Sequence, residues 1–348
     1  MTRKNSTFYF AERPQGLIVP GKTFKLVESD APTADDLEDG QVLVEVIYLS
    51  VDPGMRSVLY DSRSYVPALA LGEKMKGNGI ARVLASKSAK AKEGDLVTAL
   101  TGWTEVAIVG ENELQVINLP EGANVTDALG AAGNTGITAY IGLKHIGQPK
   151  AGETVVVSGA AGATGIIVGQ IAKIHGCRVV GIAGSDDKCR LLVDELGFDV
   201  ALNYKSPAFR EELAKATPKY IDVYWDNVGG EILDECLARA AVHSRFVICG
   251  SISIYNSLGA AENKGIRNLI QVLMQRIRME GFIVFDYRDD YPEARQALGK
   301  WLVEGKIKRK ETIVKGGIGV VDSTFNDLFA GKNVGKLMVE VKPLQEAH

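Results

Sequence analysis

Residues 155–173, VVVSGAAGATGIIVGQIAK, pass from an unbroken apolar run through three glycines into a second apolar run with helical spacing. Strand runs with so few polar residues require a sheet covered on both faces, which is the environment of parallel strands. The same strand-then-helix unit recurs downstream. CRVVGIAG precedes SDDKCRLLVDELG, VALNY precedes PAFREELAKAT, and IDVYWDN precedes GGEILDECLARAA. RFVICGS then precedes IRNLIQVLMQRIRM, and GFIVFDY precedes PEARQALGKWLVEGK. Repeated βα units of this length predict an α/β fold built on a doubly wound parallel sheet.

The first 125 residues read differently. QVLVEVIYLSVDP and GDLVTAL have strand composition and end in turn formers, and helical periodicity is scarce. The character changes near Asp127. The tail, STFNDLFAGKNVGKLMVEVKP, has a short helix and a strand that match the first segment better than the βα array. The expected organisation is therefore a discontinuous β-rich domain, 1–126 with 307–348, around an α/β domain at 127–306. A chain of 348 residues is long enough for two cores.

Bulk composition narrows the partners. A net charge of −3 gives no electrostatic reason for nucleic acid or an anionic membrane. The N-terminus is polar, and no apolar stretch is long enough to span a bilayer, so the expected location is the cytoplasm. Cys177, Cys189, Cys236 and Cys249 form no CxxC pair and have no histidine at metal-ligand spacing, so no zinc site is expected. Cys249, inside an apolar run, reads as a buried thiol.

SGAAGATG places glycines at 159, 162 and 165, a GxxGxxG variant of the usual fingerprint. Its position after a strand and at the opening of a helix gives it meaning. Gly162 admits a close backbone approach to a pyrophosphate, Gly165 admits helix–strand packing, and the helix N-terminus favours an anion. An NAD site places an acid at the end of the second strand, about 20 residues on. Here that strand ends in small uncharged residues, GIAGS at 181–185, and Lys188 follows in the next helix. Those features favour NADP(H). Asp186 and Asp187 read as ordinary helix-start residues.

With those residues in hand, the chain resembles the zinc-independent medium-chain dehydrogenase/reductases, in the branch of prostaglandin reductases and alkenal (alkenone) double-bond reductases. The resemblance rests on VDPGMR (51–56), GNTGITAYIGL (133–143), SGAAGATG (158–165), AGSDDK (183–188), NYK (203–205), IDVYWDNVGGE (221–231), CGSISIYN (249–256), GFIVFDY (281–287) and GKNVGK (331–336). It implies a GroES-like catalytic domain, a Rossmann domain with a cleft between the two, NADP(H), and a homodimer. It assigns Gly162, Ala163, Thr164 and Gly165 to the pyrophosphate, and Lys188 and Tyr204 to the 2′-phosphate region. Asn227 would lie beside the cofactor. Cys249, Ser251, Ile252 and Tyr255, with Phe282, Ile283 and Val284, would line the nicotinamide side, and Asn333 would reach it from the other domain. The family often has Tyr where Gly54 stands and Met where Asn134 stands, which implies a roomier, more polar substrate pocket. Arg56 and Tyr65 are further pocket candidates.

The chemistry implied is reduction of a carbon–carbon double bond conjugated to a carbonyl, with hydride reaching the β-carbon and an enolate then protonated. Tyr255 is the expected polar group. A phenol's ordinary pKa of about 10 keeps it protonated at neutral pH and able to donate. The alternatives sharing this fold are an NADPH quinone oxidoreductase and a non-catalytic NADPH-binding protein.

Overall fold

The computed structural model describes residues 3–257 and 265–344. The chain divides into two compact units, Met1–Leu129 with Glu311–His348, and Gly130–Lys310. In the first unit β1 (Lys4–Phe10) and β2 (Phe24–Asp30) make an antiparallel ribbon. β3 (Gln41–Ser50), β4 (Gly79–Ser86), β5 (Leu96–Ala99), β6 (Val106–Gly110) and β7 (Leu114–Val116) belong to a seven-stranded sheet.

The second unit opens with α1 (Asn134–Gly142), continued by a π-helical turn over Leu143–Gly147. Then β8 (Thr154–Ser158), α2 (Ala163–Ile174), β9 (Arg178–Ala183), α3 (Asp186–Asp194), β10 (Val200–Asn203) and α4 (Phe209–Ala216) alternate. β11 (Ile221–Asp226), α5 (Gly230–Ala238), β12 (Ala240–Ile248), α6 (Ile270–Met274), β13 (Arg278–Gly281) and α7 (Tyr291–Val303) follow. The six strands lie in the order β10-β9-β8-β11-β12-β13, all parallel. This is a Rossmann sheet. β8 is buried along its whole length, as a strand covered on both faces must be.

The tail supplies β14 (Glu311–Lys315), α8 (Val321–Phe329) and β15 (Lys336–Glu340) to the first unit. β15 pairs antiparallel with β3, and Phe325 of α8 sets its ring edge-on to Trp103, 5.8 Å between centroids. Trp103 also meets Phe8 and Phe24. A buried Phe is worth about 1.5–3 kcal/mol, so the returning tail completes this core rather than decorating it. The result is a discontinuous, β-rich GroES-like unit.

Two elements depart from the sequence expectation. GFIVFDY does not form a strand: β13 ends at Gly281, and Val284–Asp290 turns helically. Phe282 leaves the sheet to pack on Trp225 (5.9 Å) and Tyr287 (6.4 Å). A Cβ on Gly142 would come 2.5 Å from Trp225 and 2.7 Å from Phe282, so the glycine makes this aromatic packing possible. The helix expected over IRNLIQVLMQRIRM shrinks to five residues. Arg276 adopts φ +51, which stops it, and Arg278 and Met279 join the sheet.

α2 lies close against the rest of its unit because Gly169 lacks a side chain. A Cβ there would stand 1.9 Å from Phe198 Cζ. Gly169→Ala gains helix propensity of about 1 kcal/mol but overpacks by about 1–3 kcal/mol. We expect a lower Tm, recovered in part by adding Phe198→Leu; a Tm at or above the parent's would show that Phe198 yields freely.

Candidate functional site

In the second unit the chain order reverses between β8 and β11. The crevice beyond the carboxyl ends of strands at such a point is where open α/β sheets take their ligands. The cofactor candidates of this unit each lie in the segment that follows one of its strands.

After β8, Gly159 turns with φ +57, and its carbonyl accepts the Gly162 N–H at 2.9 Å. The Ala160 N–H bonds the Ile182 carbonyl at 2.9 Å, tying the loop to β9. Gly162 is the N-cap of α2 and offers no side chain to its free N–H groups; Ala163 and Thr164 form the first turn. A Cβ on Gly165 would lie 2.5 Å from the Gly159 carbonyl oxygen. The loop is thus drawn tight by glycines, and the opening of α2 is left for an anion. These residues fit a dinucleotide pyrophosphate.

At the end of β11 sits a group that the sequence reading missed. Asp226 is fully buried. Its Oδ1 accepts from Ser158 Oγ (2.8 Å), Tyr224 Oη (2.9 Å), Val228 N–H (3.0 Å) and Gly229 N–H (2.9 Å). Its Oδ2 is buried without a hydrogen-bond partner. Burial raises the carboxyl pKa against the opposing pull of those bonds. The only sequence signal was an acid closing an apolar strand, IDVYWD.

Asn227 follows. Its Nδ2 donates to the Ser158 carbonyl at 2.7 Å, and its Oδ1 accepts from Trp225 Nε1 at 3.0 Å. The amide therefore locks β8 to β11, and its place beside the switch point is held by protein contacts. The segment after β12 is lashed to the same corner. Cys249 and Gly250 N–H groups donate to the Asp226 carbonyl (2.9 and 3.0 Å), and Ile252 N–H to that of Asn227 (3.2 Å). A Cβ on Gly229, where φ is +70, would meet Ser251 Oγ at 2.9 Å. Cys249 is half-buried rather than buried as its apolar run suggests, and its thiol is pushed up to about 12, first by burial and then by Asp226. Tyr255 folds back: its hydroxyl oxygen accepts the Ser251 N–H at 3.1 Å. Phe282 and Ile283 are half-buried and Val284 is buried, after the end of β13.

At the other end of the crevice, β9 runs out in Ala183, Gly184 and Ser185. A Cβ on Gly184 would lie 3.2 Å from the Tyr204 ring, so Tyr204 packs closely on this turn. Ser185 caps α3, accepting the Lys188 N–H at 3.4 Å. Lys188 is half-buried, and burial, then the nearby Lys205 charge, lowers its pKa. Asn134 is exposed at the start of α1.

The remaining candidates belong to the first unit. Gly54 and Tyr65 are neighbours: a Cβ at 54 would lie 3.3 Å from the Tyr65 hydroxyl. Arg56 is fully buried, donates to the Gly16 carbonyl at 2.6 Å and stacks on Tyr60. Asn333 is buried and donates to the Gly335 carbonyl at 2.8 Å. Among the described residues, no three His, Cys, Asp or Glu side chains gather as metal ligands.

Known proteins resemble this chain along most of its length. A family model described as the N-terminal domain of oxidoreductase matches residues 6–117, and one described as zinc-binding dehydrogenase matches residues 163–300. The NADPH-dependent curcumin reductase of Escherichia coli is 40% identical over 97% of this chain and 97% of its own. The NADP(+)-dependent 2-alkenal reductase of Nicotiana tabacum is 40% identical over 86% of this chain and 87% of its own. The crystal structure of CurA in complex with NADPH from Vibrio vulnificus superposes with a TM-score of 0.90, at 39% identity, covering 97% of this chain and 99% of that one. Fold and site together define an oxidoreductase with a Rossmann cofactor unit. The chain belongs to the zinc-independent medium-chain dehydrogenase/reductases, in the alkenal and prostaglandin reductase branch.

Asp226→Ala leaves four donors without their acceptor, and each buried unmet donor costs about 1–3 kcal/mol. We expect a large fall in Tm. Asp226→Asn keeps an acceptor oxygen and should stay near the parent. Because the folded pKa of Asp226 is raised, this carboxyl's contribution to stability falls as pH rises from the ordinary carboxylate range through the folded value. Asn should remove that slope. Equal Tm losses in both variants would mean that the charge, not the acceptor, holds the edge.

Proposed function

We propose that this chain reduces the carbon–carbon double bond of α,β-unsaturated ketones or aldehydes. It is an NADP(H)-dependent oxidoreductase. The observation that carries the cofactor is the acid-free end of β9, with Tyr204 over Gly184 and two lysines beside it. The substrate class is supported by relatives named curcumin reductase and 2-alkenal reductase, at 40% identity along most of the chain.

When bound, NADPH supplies the hydride that reaches the β-carbon of the substrate. The glycine loop and the opening of α2 hold the pyrophosphate. Lys188 and Tyr204 hold the 2′-phosphate end. The 249–255 segment and Phe282–Val284 wall the nicotinamide end and keep water from it. As the β-carbon is reduced, negative charge grows on the carbonyl oxygen as an enolate. A donor aimed at that oxygen is worth more in the transition state than in the ground state. Tyr255 is suited to this: the Ser251 N–H occupies its oxygen and fixes the phenol, which donates its O–H to the enolate oxygen or to a nicotinamide ribose hydroxyl. The α-carbon then takes its proton from solvent or a nearby donor.

A homodimer fits the edge of the Rossmann sheet. β13 is an edge strand, a surface that proteins rarely leave bare. α6 beside it exposes Ile270, Leu273 and Met274 at 55%, 70% and 58%. Leu273→Asp should shift the mass measured by light scattering from twice the 37.4 kDa chain to one chain. A parent that is already monomeric removes the dimer.

With NADPH and 4-phenylbut-3-en-2-one, the product identified by mass and NMR should be the saturated ketone. An allylic alcohol, or turnover with quinones alone, overturns the reading. Tyr255→Phe should lower kcat/KM about tenfold or more with Tm little changed, the scale of one lost hydrogen bond of ~1.4 kcal/mol. Unchanged kinetics would leave Tyr255 a packing residue.

A further inference from the structure

Four charged side chains meet where β9 and β10 end: Asp186, Asp187 and Lys188 at the start of α3, and Lys205 just after β10. An anion entering here faces two acids and two bases, so their net effect depends on how each is held. Asp187 is ion-paired with Arg190, one turn along α3. Asp186 is held by Asn203, whose Nδ2 donates to its Oδ1 at 2.8 Å. The other atom of the same amide is also committed: Asn203 Oδ1 accepts the Lys205 N–H at 3.1 Å.

Asn203 is the last residue of β10 and pairs in register with Ala183, the last of β9. Next in the chain, Tyr204 donates its N–H to the Ala183 carbonyl at 3.1 Å and lays its ring over Gly184. Lys205 Nζ then stands 5.8 Å from the centre of that ring. Lys205 has no ion pair among the described residues, yet it lies near enough to Lys188 to depress that lysine's charged form. Two ammonium groups at such range repel, and an anion between them reverses the sign of the interaction. The side chain that permits this is Asn203. One end of its amide restrains an acid, and the other sets the turn that presents a base.

We propose that Asn203 is a positioning residue for cofactor selectivity. By holding Asp186 and by setting the Lys205 turn, it makes this corner a site for a ribose 2′-phosphate, and Lys205 contacts that phosphate alongside Lys188. The inference rests on the NADP(H) reading above and adds to it two residues and a division of labour. Without Asn203, the Asp186 carboxylate at the first position of α3 is released beside the phosphate, where like charges repel.

The test is calorimetric titration of the full-length protein with 2′,5′-ADP and with 5′-AMP, which differ at this corner by the phosphate alone. The parent should prefer 2′,5′-ADP. Asn203→Ala should weaken 2′,5′-ADP about tenfold and 5′-AMP less than twofold. Adding Asp186→Asn to that variant should restore most of the loss, because the released group no longer carries charge. Lys205→Ala should also weaken 2′,5′-ADP selectively and flatten its salt dependence. A parent without preference for 2′,5′-ADP removes the cofactor reading itself. A parent with preference, joined to an Asn203→Ala variant that matches it, loses both ligands equally, or is not rescued by Asp186→Asn, overturns only the role of Asn203.

Discussion

A single buried oxygen gathers most of the Rossmann crevice. Asp226 Oδ1 receives the Ser158 hydroxyl at the end of β8, the Tyr224 hydroxyl from β11, and two amide groups that lead into α5. The carbonyl of the same residue receives the chain leaving β12. Three strands and one helix therefore find their relative positions at one residue. A buried carboxylate is costly, and four donors on one oxygen are what make it tolerable. The loops that would touch a dinucleotide hang from this corner: the glycine loop through Ser158, and the 249–255 segment through Cys249 and Gly250. Their geometry is only as firm as that anchor.

Around this anchor, glycines decide how near the backbone can come. Gly165 and Gly169 on α2 and Gly142 on α1 each face an atom that a Cβ would strike, and a Cβ on Gly184 after β9 would press on Tyr204. They serve different ends. Gly165 keeps the pyrophosphate loop tight, Gly169 lets Phe198 fill the space under α2, and Gly142 accepts the Trp225–Phe282 pair. Gly184 gives Tyr204 a place to lie.

Some candidate residues have partners that no local pattern announces. Asn227 follows β11, and both ends of its amide are used to join β8, β11 and Trp225. Arg56, a pocket candidate by its motif, is buried, stacked on Tyr60 and bonded to Gly16. In both cases the residue type was visible and its partners were not, because those partners lie far away in the chain or across a sheet. GFIVFDY failed for a similar reason. Its composition favours a strand, yet Phe282 packs on two aromatic neighbours, Trp225 and Tyr287, instead of extending the edge strand.

By itself the sequence determined what local chemistry can specify. Apolar runs too pure for a one-sided sheet dictated parallel strands, and glycine spacing after the first of them dictated a tight turn into a helix. The uncharged GIAGS end with Lys188 beyond it pointed to the 2′-phosphate, and the tail's match to the first segment pointed to its return. Each of these is a matter of periodicity, or of one residue's own conformational or electrostatic character. The tertiary structure alone decided where buried polar groups would find partners. Asp226 became a four-donor acceptor, Asn203 a two-ended brace, and Tyr255 an acceptor of its own loop's amide. No spacing rule reports such pairings, because a hydrogen bond across a sheet depends on which strands lie side by side, and that is settled only when the whole core has closed.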